Sequence, residues 1–262
     1  MPNRSIALIS DFGLRDHYVG SLKGVILSIH PKAVIFDITH KIRPQNIQEA
    51  AFVLYSAYPY LPQGTIVVVV VDPTVGTKRR ALCVRTRHAY LLGPDNGVLS
   101  MVLSDEKDIQ CRIVTNDRYF RKPVSATFHG RDIFAPVAAW LSRSDIFSSL
   151  GPTVTRVHQI KIPRVAFGRG VIRGNVVYID RFGNAMTNIS RDACAQFLKS
   201  NEVRINAGSK RGVRLKRTFS EGKRGELIAF WNSSHHLELA VREDSAEKRF
   251  LIRIGDSVHI RV

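Results

Sequence analysis

The chain has 262 residues, with 39 Lys or Arg against 22 Asp or Glu, giving a net charge of +17 and a pI near 10.3. Hydrophobic residues at 44% and charged residues at 23% match a globular protein long enough to bury a sizeable core, which excludes intrinsic disorder and a collagen-like fibre. Apolar runs such as Ile66 to Val71 fall far short of the roughly 20 residues of a membrane span, and no signal peptide is expected, so the expected compartment is the cytoplasm.

In chain order, Ile6 to Ser10 reads as a short strand ending in Asp11-Phe12-Gly13, and Tyr18 to Ile29 carries apolar residues at helical spacing until Pro31 stops it. Ala33 to Ile38 repeats the pattern, with a strand ending in Asp37-Ile38-Thr39-His40 and a helix over Ile47 to Tyr58. Thr65 to Val71 is β-branched throughout, which suits a parallel strand covered on both faces, and it ends in Asp72-Pro73-Thr74-Val75-Gly76. Arg80 to Arg85 and Ala89 to Leu92 read as strands, Pro94-Asp95-Asn96-Gly97 as a turn before a short helix, and Ile133 to Leu141 as a helix with an apolar face. Prolines and glycines between Gly151 and Gly170 mark a boundary. The predicted domains are therefore 1–160, a mixed α/β domain with a largely parallel sheet, and 161–262, a smaller β-barrel built on strands at Val171 to Ile179, Glu226 to Phe230, Leu237 to Val241 and Ser257 to Val262.

Three strands that each end in an acidic turn form the arrangement in which an open α/β sheet builds a ligand crevice at its carboxyl edge, so Asp11, Asp37 and Asp72 are the first candidates for chemistry. Arg79, Thr127-Phe128-His129-Gly130-Arg131-Asp132 and Asp180-Arg181-Phe182-Gly183-Asn184 also place charged, imidazole or amide groups at turns. Taken one by one, each has a plain structural role as a helix cap, an ion pair or a turn residue. Cys83, Cys111 and Cys194 are odd in number and widely spaced, which predicts three reduced, mostly buried thiols. Seven basic residues crowd Lys210 to Arg224, but the excess is spread over both halves and no nucleic-acid-binding signature accompanies it, so nucleic acid is not expected as the main partner.

Taken together, Ser10-Asp11-Phe12-Gly13, Asp37-Ile38-Thr39-His40, Val71-Asp72-Pro73, Pro94-Asp95-Asn96-Gly97, Thr127 to Asp132 and Phe182-Gly183-Asn184 resemble the S-adenosyl-L-methionine hydroxide adenosyltransferases, relatives of the fluorinase and chlorinase that use the same substrate. The resemblance runs from Ile6 to about Ile260. It implies attack of water or hydroxide at C5′ of S-adenosylmethionine to give adenosine and methionine, with no metal and no cofactor beyond the substrate. It further implies a catalytic set of Asp72, Arg79 and His129, a ribose-binding Asp11, an ammonium-binding Asp180, adenine contacts from Asn184, Phe219 and the backbone from Val241 to Glu243, and a methionine carboxylate held by Ser233 and Ser234. A homotrimer with each site shared between neighbouring subunits is implied as well.

The chemistry of the residues agrees, because a sulfonium leaves as a neutral thioether and needs no general acid; what the reaction needs is an activated water in line with C5′. Asp72 can accept a proton or orient the water, Arg79 supplies positive charge, and His129 can hold either group. In the halogenase relatives the position of Asp72 is not Asp, so its presence favours hydroxide over halide. The remaining alternative is a basic nucleoside- or nucleic-acid-binding protein without turnover. Thr74 stands where the family turn usually has Gly, which is tolerated unless the position needs positive φ. His235 and His236 follow the serines where Gly is usual, and Arg242 stands where Asn is common; the histidines are expected at the surface or a pocket rim. For Phe219 the plain reading is a barrel core residue.

Overall fold

β-Branched and apolar runs in the first half of the chain fill both faces of one sheet. The structure, a computed structural model, describes residues 4–168, 170–195 and 203–261, and the chain divides into two compact units, Met1–Ile160 and Lys161–Val262. In the first unit the strands are β1 (Ile6–Ser10), β2 (Ile35–Thr39), β3 (Ile66–Val70), β4 (Ala81–Arg85), β5 (Tyr90–Pro94) and β6 (Gln110–Ile113), in the order β2-β1-β3-β5-β4-β6. The first four of that order run parallel, and β4 is antiparallel to both its neighbours.

Side chains alternate across a strand, so β3 feeds two cores. Ile66, Val68 and Val70 pack with α1 (Tyr18–Ile29) and α4 (Ala135–Arg143) on one face; Val67, Val69 and Val71 pack with α2 (Ile47–Ala57) and α3 (Ser100–Asp105) on the other. Each fully buried valine contributes roughly 1.5–3 kcal/mol, which is why this strand tolerates no polar position. Asn46 caps α2 by accepting the Glu49 N–H at 3.0 Å, and the helix passes into Tyr58-Pro59-Tyr60, where proline ends the α-helical ladder. Before α4 the chain makes one π-helical turn, Gly130–Phe134, so the helix expected from Ile133 begins with a wider turn placed against the site.

The second unit is a barrel of seven strands: β8 (Val171–Ile179), β9 (Ala185–Ser190), β10 (Arg204–Ala207), β11 (Lys210–Leu215), β12 (Leu227–Trp231), β13 (His236–Val241) and β14 (Ser257–Arg261). Their order is β14-β10-β11-β12-β13-β9-β8, and β14 pairs with β8 to close it, while short β7 (Ala166–Gly168) extends from β8. Ile172, Ile205, Val213, Ala229, Leu239 and Ile260 point into its core, and on the opposite face of β12 and β13 Ile228, Phe230 and Ala240 form a second, smaller buried cluster. The basic stretch is half strand: Lys210, Arg211 and Arg214 lie on β11, whose inward positions are Val213 and Leu215. Short helices α5 (Arg191–Cys194) and α6 (Ala246–Phe250) complete the unit. Cys83, Cys111 and Cys194 are free and buried, and burial raises the thiols of Cys111 and Cys194 to about 11. Among the described residues no helix is long and apolar enough to cross a membrane.

Candidate active site

The order of the sheet decides where the site forms. From β1 the chain passes through α1 to β2 on one side, then returns through α2 to β3 on the other, so the loops after β1 and β3 diverge and leave a crevice at their carboxyl ends. Ser10 pairs with Val70 in register, which brings Asp11 and Asp72 to that edge. A cleft of about 300 Å³ opens there, lined by Asp11, Phe12, Gln45, Asp72, Phe128 and His129 among others.

Asp72 and His129 line this cleft, and Arg79 joins them from outside the lining. The Arg79 Nε donates to Asp72 Oδ2 at 2.8 Å, and a terminal nitrogen of the same guanidinium lies 2.5 Å from that oxygen and 2.7 Å from His129 Nδ1. The Asp72 and Arg79 side chains are 4% and 8% exposed, so the pair is shielded from bulk water. An arginine can only donate, hence His129 Nδ1 accepts and the ring carries its proton on Nε2. Burial, and then the Arg79 charge, lower the His129 pKa from its ordinary 6.5, against weaker opposing effects of Asp72 and Asp132. Among the described residues, Asp72 Oδ1 is held only by the Thr74 hydroxyl at 3.3 Å. Thr74 is absent from the positive-φ positions, so the replacement of glycine brings no backbone strain and adds this contact.

Two loops far apart in sequence hold the three residues, and glycine lets them approach. Gly76 has φ +80, and a Cβ there would sit 2.3 Å from the Ala126 carbonyl oxygen. Asp132 ties down the His129 loop: its fully buried carboxylate accepts from Arg131 Nε at 2.7 Å and from the Ser125 N–H at 2.9 Å. Burial alone would raise this carboxyl, but those bonds outweigh it and hold it below the usual range. Phe12, Tyr18 and Phe128 form an aromatic cluster at the cleft, with Phe128 edge-on to both other rings at 5.7 and 5.3 Å.

Asp11 Oδ2 accepts the Gln45 N–H at 2.8 Å. Gln45 adopts φ 63, a conformation a non-glycine residue takes only under local constraint, so its amide is aimed at Asp11 by a strained turn. No feature of the sequence marked Gln45.

The second unit holds another set. Asp180 Oδ1 accepts from the N–H groups of Phe182 and Asn184 at 2.8 and 2.9 Å, and its Oδ2 from Asn184 Nδ2 at 3.1 Å, so the two residues shape one turn. Ser233 and Ser234 lie in the turn between β12 and β13. There the Asn232 side-chain oxygen accepts from the N–H groups of Ser234 and His236 at 2.9 and 3.0 Å, while His235 takes φ 59. Glu238, which sequence reasoning missed, accepts from Asn232 Nδ2 at 2.8 Å; burial raises its carboxyl, Asn232 opposes this and the Asp180 charge adds to it. Its signal was an acid inside an otherwise apolar strand. Phe219 is not a core residue: it sits in a single turn outside the strands, 43% exposed, with its ring 4.4 Å from Phe230. Glu243, at φ 59, lies 3.5 and 3.7 Å from Arg224 and Arg242, so its side chain is engaged at the surface. Among the described residues no three His, Cys, Asp or Glu side chains converge as metal ligands.

Comparison with known proteins matches this division. The family model of the SAM hydroxide adenosyltransferase N-terminal domain matches residues 6–151, and that of the C-terminal domain matches residues 174–259. The chain is 36% identical to an (R)-S-adenosyl-L-methionine hydrolase of Thermus thermophilus, over 98% of this chain and 99% of that one, and 35% identical to one of Methanocaldococcus jannaschii, over 97% and 95%. A fluorinase of Actinoplanes is more distant, at 26% identity over 91% of each chain. A crystal structure of an uncharacterized conserved protein from Thermotoga maritima superposes with a TM-score of 0.92 at 36% identity, covering 98% of this chain and 100% of that one. With both halves matched in order and relatives aligned over nearly its whole length, the chain belongs to the SAM hydroxide adenosyltransferase family.

Proposed function

We propose that this protein hydrolyses S-adenosyl-L-methionine to adenosine and L-methionine, and that Asp72, Arg79 and His129 activate the water. The observation that carries the reading is the Arg79 guanidinium joined at once to Asp72 Oδ2 and to the neutral ring of His129, two residues that line the cleft. With Oδ2 committed to Arg79, Asp72 Oδ1 is the oxygen free to take a proton from water, and the His129 Nε2–H can donate to the same water's oxygen. The second lone pair then faces C5′. As the C5′–O bond forms, the C5′–S bond breaks, the sulfonium electrons return to a neutral thioether, and the water proton passes through Asp72 to solvent. Arg79 stabilises the developing hydroxide without moving a proton itself. In this scheme the reaction needs no metal or cofactor.

Substrate contacts follow the same reading. Asp11 has a carboxylate at the cleft suited to a ribose diol. Asp180 suits the ammonium, the turn at Ser233 and Ser234 the carboxylate, and Asn184, Phe219 and the backbone near Glu243 the adenine. These groups divide into one set per unit, and the family resemblance implies a homotrimer with each site shared between the N-terminal unit of one subunit and the C-terminal unit of another. The cytoplasm is the proposed compartment. Purified protein incubated with S-adenosylmethionine, with and without chloride, is expected to yield adenosine and methionine by chromatography. Turnover should fall at least about 100-fold in Asp72→Asn. A 5′-chloro-nucleoside as product, or undiminished turnover in that variant, overturns the mechanism, and light scattering that shows an active monomer overturns the assembly.

A further inference from the structure

A second series of polar contacts begins at Ser10, next in the chain to the cleft residue Asp11. The Ser10 hydroxyl is 2.7 Å from His40 Nδ1, and His40 Nε2 lies 3.1 Å from Asp37 Oδ1. Ser10 is fully buried and His40 is 3% exposed, while Asp37 at the far end is partly solvated and bonded to Lys23 at 2.7 Å. The order serine, histidine, carboxylate is that of a hydrolytic triad, but a serine with no exposure offers its oxygen to no substrate. We propose that Ser10, His40 and Asp37 are positioning residues that fix the turn carrying Asp11 and so place the ribose-binding carboxylate.

The geometry gives each member a task. The His40–Asp37 contact is too bent for a well-formed hydrogen bond, yet a carboxylate at that distance favours the imidazole proton on Nε2. Nδ1 is then the acceptor and the Ser10 O–H donates to it. That direction leaves the Ser10 oxygen's lone pairs for the backbone, and Oγ accepts the Phe12 N–H at 3.3 Å. The His40 carbonyl accepts the Gly13 N–H at 2.7 Å, where Gly13 takes φ 69. The Phe12 and Gly13 amides that follow Asp11 are thereby both tied to His40, one through Ser10 and one through its carbonyl. The segment after His40 also supplies the Gln45 N–H that holds Asp11 Oδ2, so the backbone and side chain of Asp11 are oriented from the same loop. Among the described residues Asp11 Oδ1 has no hydrogen-bond partner, as a carboxylate waiting for a hydroxyl requires.

This inference rests on the proposed ribose role of Asp11, and the test separates the two. Adenosine affinity by calorimetry and steady-state kinetics with S-adenosylmethionine are measured on the intact protein. The variants are Asp11→Ala, Ser10→Ala, His40→Ala, His40→Asn and the Ser10→Ala/Asp11→Ala double. Ser10→Ala and His40→Ala are expected to weaken adenosine binding and raise KM by about tenfold, with kcat changed by less than about threefold. His40→Asn, whose amide can reach Ser10 from the Nδ1 position, should restore affinity to within about threefold. In the double variant Ser10→Ala should add almost nothing to Asp11→Ala, because it acts through Asp11. An effect of Ser10→Ala that persists undiminished without Asp11, or that appears in kcat alone, overturns the relay. If Asp11→Ala leaves adenosine binding unchanged, the ribose assignment itself fails and the relay loses its purpose with it.

Discussion

Replacing Arg79 by Met removes both hydrogen bonds to Asp72 Oδ2 and leaves a carboxylate whose side chain is 4% exposed with only the Thr74 hydroxyl at 3.3 Å. Stranding a buried charge in this way costs about 3–5 kcal/mol. In a unit of this size that is a fall in Tm of roughly 6–20 °C. Adding Asp72→Asn removes the stranded charge, so the double variant should be more stable than Arg79→Met alone although both are inactive. A surface pair serves as the control: Arg87 and Asp108 are 78% and 61% exposed, and Arg87→Met should change stability by less than about 1 kcal/mol. Thermal unfolding followed beside product chromatography reads stability and turnover on the same samples. If Arg79→Met is no more costly than Arg87→Met, or if the double variant is less stable than Arg79→Met, the Asp72–Arg79 pair is water-bathed and the shielded-pair argument is wrong.

The depressed pKa of His129 gives a pH dependence with a definite sign. The unfolded chain binds more protons than the folded one between the folded pKa and 6.5, so His129 adds stability above 6.5 that is lost as pH falls through the folded value. Protonated Nδ1 cannot accept from Arg79, so the acid limb of kcat/KM should lie below 6.5 and disappear in His129→Gln; a limb above 6.5 contradicts the neutral-ring assignment. Gly76→Ala should destabilise by at least about 1–3 kcal/mol and depress turnover, since its Cβ would meet the Ala126 oxygen at 2.3 Å and push apart the two loops that carry the proposed catalytic residues. On the barrel, Arg204 lies directly opposite both Arg214 and Arg261, so Arg204→Thr should raise stability by about 0.2–1 kcal/mol in denaturant melts, and a loss there means the arginines are held together by something else.

The first unit was legible where one pattern dominates. Ile66 to Val71 can only be a strand covered on both faces, and Tyr18 to Ile29 forms the helix that its apolar spacing and Pro31 predict. β6, β7, β9, β10 and β11 were not anticipated. On β11 a run of Lys210-Arg211-Gly212-Val213-Arg214 reads as a charged segment, because only Val213 and Leu215 face the core and barrel closure supplies the rest of the stability. The identity of the candidate catalytic residues was visible in the motifs, but their division of labour was not. Asp72 and Arg79 are separated from His129 by about 50 residues of chain, and which His129 nitrogen faces Arg79 depends on the contact between two loops that Gly76 permits. Gln45 and Glu238 carried no motif, since one acts through a backbone amide and the other through Asn232.

Charge accounts for why those details matter to this reaction. S-adenosylmethionine brings a positive sulfonium to a protein of net charge +17, and the reaction consumes that charge when the thioether leaves. Asp72 and Arg79 together contribute no net charge to the cleft, so Asp11 is left as the local anion and a second positive group there would oppose substrate entry. A protonated His129 would be such a group. The arrangement that lowers its pKa, burial beside a guanidinium, therefore serves two ends: it keeps the cleft open to a cation, and it leaves Nδ1 to hold Arg79, with the ring proton on Nε2, the donor that the proposed mechanism assigns to the water. Once the sulfonium is spent, both products leave the cleft without the charge the substrate brought, and in the proposed mechanism the Asp72–Arg79 pair returns to its starting state when the water proton reaches solvent.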